Sequence, residues 1–298
     1  MKKIVIITGL TGSGKSGLAI EIAKKYNGEI ISADSVQIYK GLDIGSAKAT
    51  NEEMSGIFHH LIDIKENTET YNVGEFVEDC KSAIDRIIEN GKLPIIVGGT
   101  GLYVKALLEG YTLGQNKSDL ELRHKYEEIA KKEGNIAVWN ELCKLDPEKA
   151  KTVHYNNLKR VIRYIELTQN SEVPQKTESI LSNFKTICIG IVDDREVIYN
   201  KINKRVDKMI EMGLELEVKS LIDSGLTSEH QSMNSIGYKE WFDYYNGAIN
   251  RQETIDLIKQ HTRNYCKRQL TFLKTINNGL QLCSLNDAKI KIERFLND

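Results

Sequence analysis

The pattern G-x-x-x-x-G-K-S at Gly9–Ser16, within ITGLTGSGKS, confines what this 298-residue chain can fold into more than any other feature. Such a loop needs a strand to deliver it and a helix to receive it. Its backbone N–H groups face an anion only when they sit at the open N-terminus of that helix. Both neighbours are present. Residues 4–8 read IVIIT, a continuous apolar, β-branched run of the kind found in a central parallel strand covered on both faces. Residues 15–26 place Leu18, Ile22 and Tyr26 on one helical stripe. The loop therefore predicts a phosphate cradle, with Lys15 as a point charge and the Ser16 hydroxyl as a ligand for Mg²⁺. It names a phosphate chain and does not read what that chain is attached to; the competing reading is a glycine-rich turn that holds no ligand.

The pattern continues as alternating strands and helices. EIISA (29–33) ends at Asp34, a helical stretch covers 73–90, PIIVGGT (94–100) ends in a glycine turn, and strand character returns in TICIGIV (186–192). The expectation is an α/β fold with a P-loop NTPase-like parallel sheet core. Ligands of such sheets bind at the carboxyl ends of the strands, so the glycine loop, Asp34 and Thr100 should converge on one edge. Between about 113 and 183 the texture becomes charged and helical, with Pro147 placed as a first helical residue after an Asp146 cap. The chain is thus expected to comprise a core of 1–112 and 184–298, its C-terminal part helical, and an inserted helical subdomain over 113–183.

Composition narrows the classes. With 40% hydrophobic and 28% charged residues the chain reads as a soluble globular protein. No run approaches the roughly 18 apolar residues that a membrane helix needs, and the N-terminal apolar run is too short for a signal peptide. Five scattered cysteines without a C-x-x-C pair argue against a disulfide framework or a zinc site, and point to a reduced, cytoplasmic protein. A net charge of −1 offers no global basicity for nucleic acid, so any such contact must come from local clusters. Two stand out. Residues 259–274 carry Lys259, Arg263 and Lys267 on one helical face without an acidic residue, and residues 157–163 carry Lys159, Arg160 and Arg163. Each reads either as a solvated face or as a nucleic-acid contact.

Four further residues bear on chemistry. Asp34 after its strand reads as a turn cap, as a metal-binding carboxylate or as a base beside the phosphate site. Thr100 offers a hydroxyl where glycines let backbone approach a ligand, or simply starts a helix. Arg195 and Arg205, on one helical approach, are surface ion-pair residues or reach a diphosphate. A small-molecule or nucleoside kinase shares this opening, and a nucleotide-dependent RNA-binding module would suit the basic helices.

In order along the chain, GLTGSGKS, ISADSVQIYKGLDIGSAK, FHHLIDI, GGTGLYVKALLEG, LKRVIRYIEL, DREVIYNKINKRVDKM, SIGYKEW and HTRNYCKRQLTFLK resemble the tRNA dimethylallyltransferases, also called tRNA isopentenyltransferases, over roughly residues 4–275. The resemblance implies transfer of a dimethylallyl group from dimethylallyl diphosphate to N6 of adenine 37 beside the tRNA anticodon, giving N6-isopentenyladenosine. It implies a donor in a tunnel through the core and a flipped adenine at the other mouth. Gly9, Leu10, Thr11, Gly12, Ser13, Gly14, Lys15 and Ser16 would then hold the diphosphate rather than a nucleoside triphosphate, with Mg²⁺ on Ser16. Asp34 would be the general base, Thr100 would touch the reacting region, and Arg205 would be the arginine of the leaving group. Ser35, Val36 and Gln37 correspond to the stretch that meets the target base. Lys159, Arg160, Val161, Ile162 and Arg163, with Ser235, Ile236, Gly237, Tyr238 and Lys239, correspond to tRNA-contacting segments, which makes the insertion a tRNA-binding subdomain. Family members commonly read G-P-T at the loop and end it in Thr; Leu10 and Ser16 stand here, and Ser keeps the metal-binding hydroxyl. The paired cysteines of the eukaryotic zinc finger are missing, as in the shorter bacterial form, and the chain would act as a monomer. The last two dozen residues carry no family mark.

Overall fold

A computed structural model describes residues 2–110, 119–169 and 178–298, and these form two compact units, one of 2–110 with 178–298 and the other of 119–169. Residues 113–118 and 170–177 of the expected insertion lie outside the described residues.

The larger unit is built on six strands: β1 (Lys3–Gly9), β2 (Gly28–Ser32), β3 (His59–His60), β4 (Leu93–Val97), β5 (Lys185–Ile191) and β6 (Leu280–Cys283). Every pairing is parallel, in the order β3-β2-β4-β1-β5-β6. The continuous apolar run of β1 has the expected cause: Ile4, Val5, Ile6 and Ile7 are all fully buried, alternating between two cores on opposite faces of the sheet. β1 lies between β4 and β5, so the loop after it emerges at the middle of the carboxyl edge.

Three departures from the sequence reading have physical causes. β4 stops at Val97, because the chain at Gly98 passes so close to β2 that an added Cβ would sit 2.0 Å from the Ala33 carbonyl oxygen. β3 is a two-residue edge strand, too short for any periodicity. β6 replaces part of the helical C-terminus that was expected; its half-exposed residues read as neither period, and only pairing with β5 makes them a strand. After it, the helix Leu285–Asn297 buries Ala288 and Ile292 with Leu18, Ala19 and Ile22 of the helix Lys15–Lys25. The unmarked tail thus supports the helix that receives the phosphate loop.

The smaller unit is helical, with helices Leu120–Glu133, Asn135–Leu145, Pro147–Lys151 and Leu158–Gln169. Pro147 does follow a cap, Asp146, whose carboxylate accepts the Lys149 N–H. The unit's core includes Tyr126, Val138, Leu142, Val161, Ile162 and Ile165. Val161 and Ile162 are 0% and 2% exposed, which corrects their expected place among RNA contacts: a fully covered aliphatic side chain has no surface to offer. Ile162→Ala should lower the unfolding free energy by about 2–5 kcal/mol through the cavity it leaves, whereas Arg160→Ala, at an exposed position, should change it by less than about 0.5 kcal/mol. Chemical denaturation of both variants checks this; equal losses would sink it.

Among the described residues no helix is long and apolar enough to cross a membrane.

Candidate active site

The loop 9–16 binds the sheet before it binds anything else. Gly9 has φ of 135°, and a Cβ there would lie 2.2 Å from the Ile191 carbonyl oxygen, so only glycine lets β1 run this close to the end of β5. Leu10 then donates its N–H to the Ile191 carbonyl at 3.1 Å and buries its side chain with Ile198, Ile202 and Cys266. Gly14, left-handed at φ 89°, opens the helix Lys15–Lys25 without a side-chain cap, which leaves the first N–H groups of that helix for an outside acceptor. The Ser13 hydroxyl is buried with no hydrogen-bond partner among the described residues. An orphaned hydroxyl beside uncapped amides is what a phosphate oxygen satisfies.

Lys15 folds back to donate to the Leu10 carbonyl at 2.7 Å. Burial, with Arg205 nearby, pushes its ammonium down to about 8, while the Asp34 carboxylate pulls in the opposite direction. Arg205 is likewise lowered by burial and supported by Asp34. The sheet edge therefore brings Lys15, Asp34 and Arg205 into one electrostatic group, from residues up to 190 positions apart.

Asp34 fills the first of the roles left open by the sequence, that of turn cap. Its Oδ1 accepts the N–H of Val36 at 2.9 Å and of Gln37 at 3.4 Å, which closes the turn after β2. Its Oδ2 makes no hydrogen bond among the described residues. One oxygen fixes the carboxylate and the other is uncommitted. Thr100 stands opposite, its hydroxyl accepting the Ser35 N–H at 3.1 Å and reaching the Ser35 hydroxyl at 3.4 Å.

Two cavities flank this group. One, of about 380 Å³, is lined by Thr11, Asp34, Ser35, Val36, Thr100 and Arg205, with Ser235, Ile236, Gly237, Lys239, Tyr265 and Arg268 on its far side. The other, of about 820 Å³, is reached by Ser16, Ser32, Gln37, Lys48 and Lys208. Arg205 and Met209 line both. Gln37 parts company with Ser35 and Val36: it faces the larger cavity, accepts the Ser32 hydroxyl at 3.0 Å and donates to the Ser46 and Ala47 carbonyls. Gly12 packs on Lys201 and Ile202 of the helix Arg195–Glu211.

The structure separates the two arginines that the sequence left equivalent. Arg205 enters the site and donates to the Ser46 carbonyl at 3.4 Å, whereas Arg195 is exposed at the start of its helix, stacked over Tyr199. The segment Ser235–Lys239 is divided as well. Ser235, Ile236, Gly237 and Lys239 line the smaller cavity; Tyr238 is fully buried, its hydroxyl donating to Glu217 at 2.7 Å, so it supports the segment from below. Of the basic face 259–274, Lys259 pairs with Asp207 at 2.5 Å and Arg263 donates to Asn203 at 2.7 Å. Lys267 and Arg268 are the exposed cations of that helix, Arg251–Leu273, at this end. In the helical unit Arg163 is tied to the buried Glu166 at 2.7 Å and Arg160 lies over Tyr164, while Lys159 is exposed.

Among the described residues no group of three or more His, Cys, Asp or Glu side chains could hold a metal ion. Ser16, on the larger cavity, is a single hard oxygen ligand, which fits a Mg²⁺ ion carried mainly on phosphate oxygens rather than one caged by protein.

Sequence reasoning missed Gln269. It lies within the quoted basic block, yet nothing local distinguishes it from a surface glutamine; it is 5% exposed and bonds to Thr11 and Gly99, 258 and 170 residues earlier.

Comparison with known proteins extends this picture. The family model described as IPP transferase matches residues 37–276. The tRNA dimethylallyltransferase of Oceanobacillus iheyensis is 44% identical over 305 residues, covering 100% of this chain and 97% of its own, and that of Exiguobacterium sp. is 45% identical over 94% and 90%. Among solved structures, the tRNA isopentenylpyrophosphate transferase of Bacillus halodurans superimposes with a TM-score of 0.73 at 39% identity, covering 100% of this chain and 96% of its own. A eukaryotic dimethylallyltransferase acting on tRNA gives 0.75 at 29% identity over 96% and 75%.

Proposed function

The chain belongs to the IPP transferase family, and from that membership we infer the work of the site just described: it transfers a dimethylallyl group to tRNA, and the finer assignment is to N6 of adenine 37, with dimethylallyl diphosphate as donor. One observation carries the finer reading: Asp34, with an uncommitted Oδ2, shares a cavity with Thr100 and Arg205 beside the phosphate loop.

The loop amides at the start of the helix Lys15–Lys25, the Ser13 hydroxyl and Lys15 hold the diphosphate, and Arg205 closes over it. The allylic C1 then points into the smaller cavity, where the flipped adenine enters. Its N6 lone pair is delocalised into the ring, so the amine is a weak nucleophile. Asp34 Oδ2 takes the N6 proton as the N6–C1 bond forms. The C1–O bond breaks and its electron pair leaves with diphosphate, whose growing charge Lys15, Arg205 and the loop amides stabilise. Ser16 would hold a Mg²⁺ ion, which would supply further neutralisation of the leaving group. Ser35 and Val36 flank the base, Lys239 and Arg268 meet its phosphates, and Lys159 and Arg160 of the helical unit contact the tRNA.

Arg205→Ala should weaken donor binding about ten- to a hundredfold through loss of a buried charge-assisted contact and leave tRNA affinity nearly unchanged, while Arg195→Ala changes neither. Titration calorimetry with donor alone and filter binding with tRNA decide this; an unaltered donor affinity in Arg205→Ala removes it from the site. The reaction itself is tested by incubating the protein with Mg²⁺, dimethylallyl diphosphate and an unmodified tRNA bearing A37, followed by nucleoside mass spectrometry. An isopentenyl increment on that adenosine supports the reading. Product elsewhere, or none, overturns it.

A further inference from the structure

Gln269 reaches from the helix Arg251–Leu273 into the site and bonds at both ends of its amide. Its Nε2 donates to the Gly99 carbonyl at 2.9 Å. Its Oε1 accepts the Thr11 N–H at 2.9 Å and lies 3.1 Å from the Thr11 hydroxyl. The orientation of this amide is fixed by chemistry. A carbonyl can only accept and a backbone N–H can only donate, so exchanging the oxygen and nitrogen would set acceptor against acceptor and donor against donor. Gly99 is shaped to the contact: a Cβ there would lie 2.7 Å from Nε2.

The consequence falls on Thr11. Its N–H is taken, and its hydroxyl proton must point at Oε1, since that oxygen cannot donate. Thr11 lines the smaller cavity with Asp34 and Thr100, so what it can present there is an oxygen that only accepts. Such a group has nothing to offer a diphosphate oxygen. It suits a donor, and the donor entering that cavity is an exocyclic amine with two hydrogens, of which Asp34 takes one.

We propose that Gln269 is a positioning residue that sets the polarity of the Thr11 hydroxyl, turning one position of the phosphate loop from the diphosphate toward the amine of the incoming base. This rests on the reaction assigned above. Through Gly99, the same side chain ties the phosphate loop to the turn that carries Thr100, whose hydroxyl in turn holds Ser35 next to Asp34. The ends of β1, β4 and β2 are thereby held as one unit, with the amine's two hydrogen acceptors on opposite members of it.

The test compares Gln269→Met, Thr11→Val, Thr11→Ser and the Gln269→Met/Thr11→Val pair, each with a thermal melt, a calorimetric titration of dimethylallyl diphosphate alone, and a single-turnover rate with donor and tRNA saturating. The expected result is a rate about tenfold lower in Gln269→Met and in Thr11→Val, the loss of one hydrogen bond's worth of alignment. Donor affinity should stay within about twofold, the pair should be no slower than Thr11→Val, and Thr11→Ser should recover most of the loss. Additive losses in the pair, or losses that appear in donor affinity instead of rate, would make Gln269 a strut of the phosphate loop and overturn the proposal. Should Gln269→Met fail to fold, a Thr11→Val rate equal to wild type overturns it by itself. Absence of product from the wild-type protein is a different result, and it strikes the assigned reaction rather than Gln269.

Discussion

Asp34→Asn should reduce single-turnover prenyl transfer by about 10²–10⁴, the usual contribution of a positioned base, with donor and tRNA affinities little changed. The substitution is nearly isosteric and keeps an oxygen that can accept the Val36 and Gln37 N–H groups, so the turn after β2 survives. What is lost is the second carboxylate oxygen. The amide nitrogen in its place cannot take a proton from N6, and it adds a donor where an acceptor is needed. Rapid-quench assays with both substrates saturating isolate this step. Retention of more than about a tenth of the rate would show that proton removal by Asp34 is not what limits the reaction.

Lys15→Met should lower kcat/KM by about 10²–10³, comparable to the removal of one preorganised charge from a developing anion. The wild-type pH dependence follows from the same residue. Burial and Arg205 bring its pKa down from 10.5 to about 8 in the free protein. Donor binding needs the charged form, so affinity is full well below pH 8 and falls as pH rises through it; binding takes up about half a proton near pH 8 and close to one near pH 9. Stability runs the other way. Between about 8 and 10.5 the unfolded chain binds more protons at this position than the folded one, so the lysine's contribution to stability rises with pH over that window. Below it, the buried ammonium is a cost, and Lys15→Met should melt at a higher temperature than wild type near neutral pH. Calorimetry in buffers of different ionisation enthalpy counts the protons. A donor affinity flat from pH 7 to 10 would mean that Lys15 stays charged throughout.

The parts of the site that could be read from the sequence are those with local signatures. The phosphate loop is a contiguous motif between a strand and a helix whose apolar patterns are each self-evident, and Asp34 and Thr100 each follow a β-branched run. The rule that ligands gather at the carboxyl edge of a parallel sheet then joins them without any knowledge of contacts, and the structure does place them around one cavity. A helix start with its cap was legible for the same reason, as at Pro147, which opens its helix after the Asp146 cap.

What could not be read depends on which partner a face meets. Helical periodicity says that Arg195 and Arg205 lie on one helix; it does not say that only the second reaches past the sheet edge. Lys159 to Arg163 form one basic stretch in sequence, yet a turn of 3.6 residues sends Val161 and Ile162 inward and leaves Lys159 and Arg160 outside. Strands β3 and β6 are too short and too exposed to declare themselves, and exist because a neighbour supplies the hydrogen bonds. The sequence by itself determined the glycine loop, the parallel core and the family, because these rest on local pattern and ordered motifs. Tertiary structure alone decided which arginine lines the cavity beside Asp34 and that Gln269, 258 residues from Thr11, accepts the Thr11 N–H. Hydrogen bonds and burial act over a few ångströms of space, and separation along the chain carries no information about them until the chain has folded.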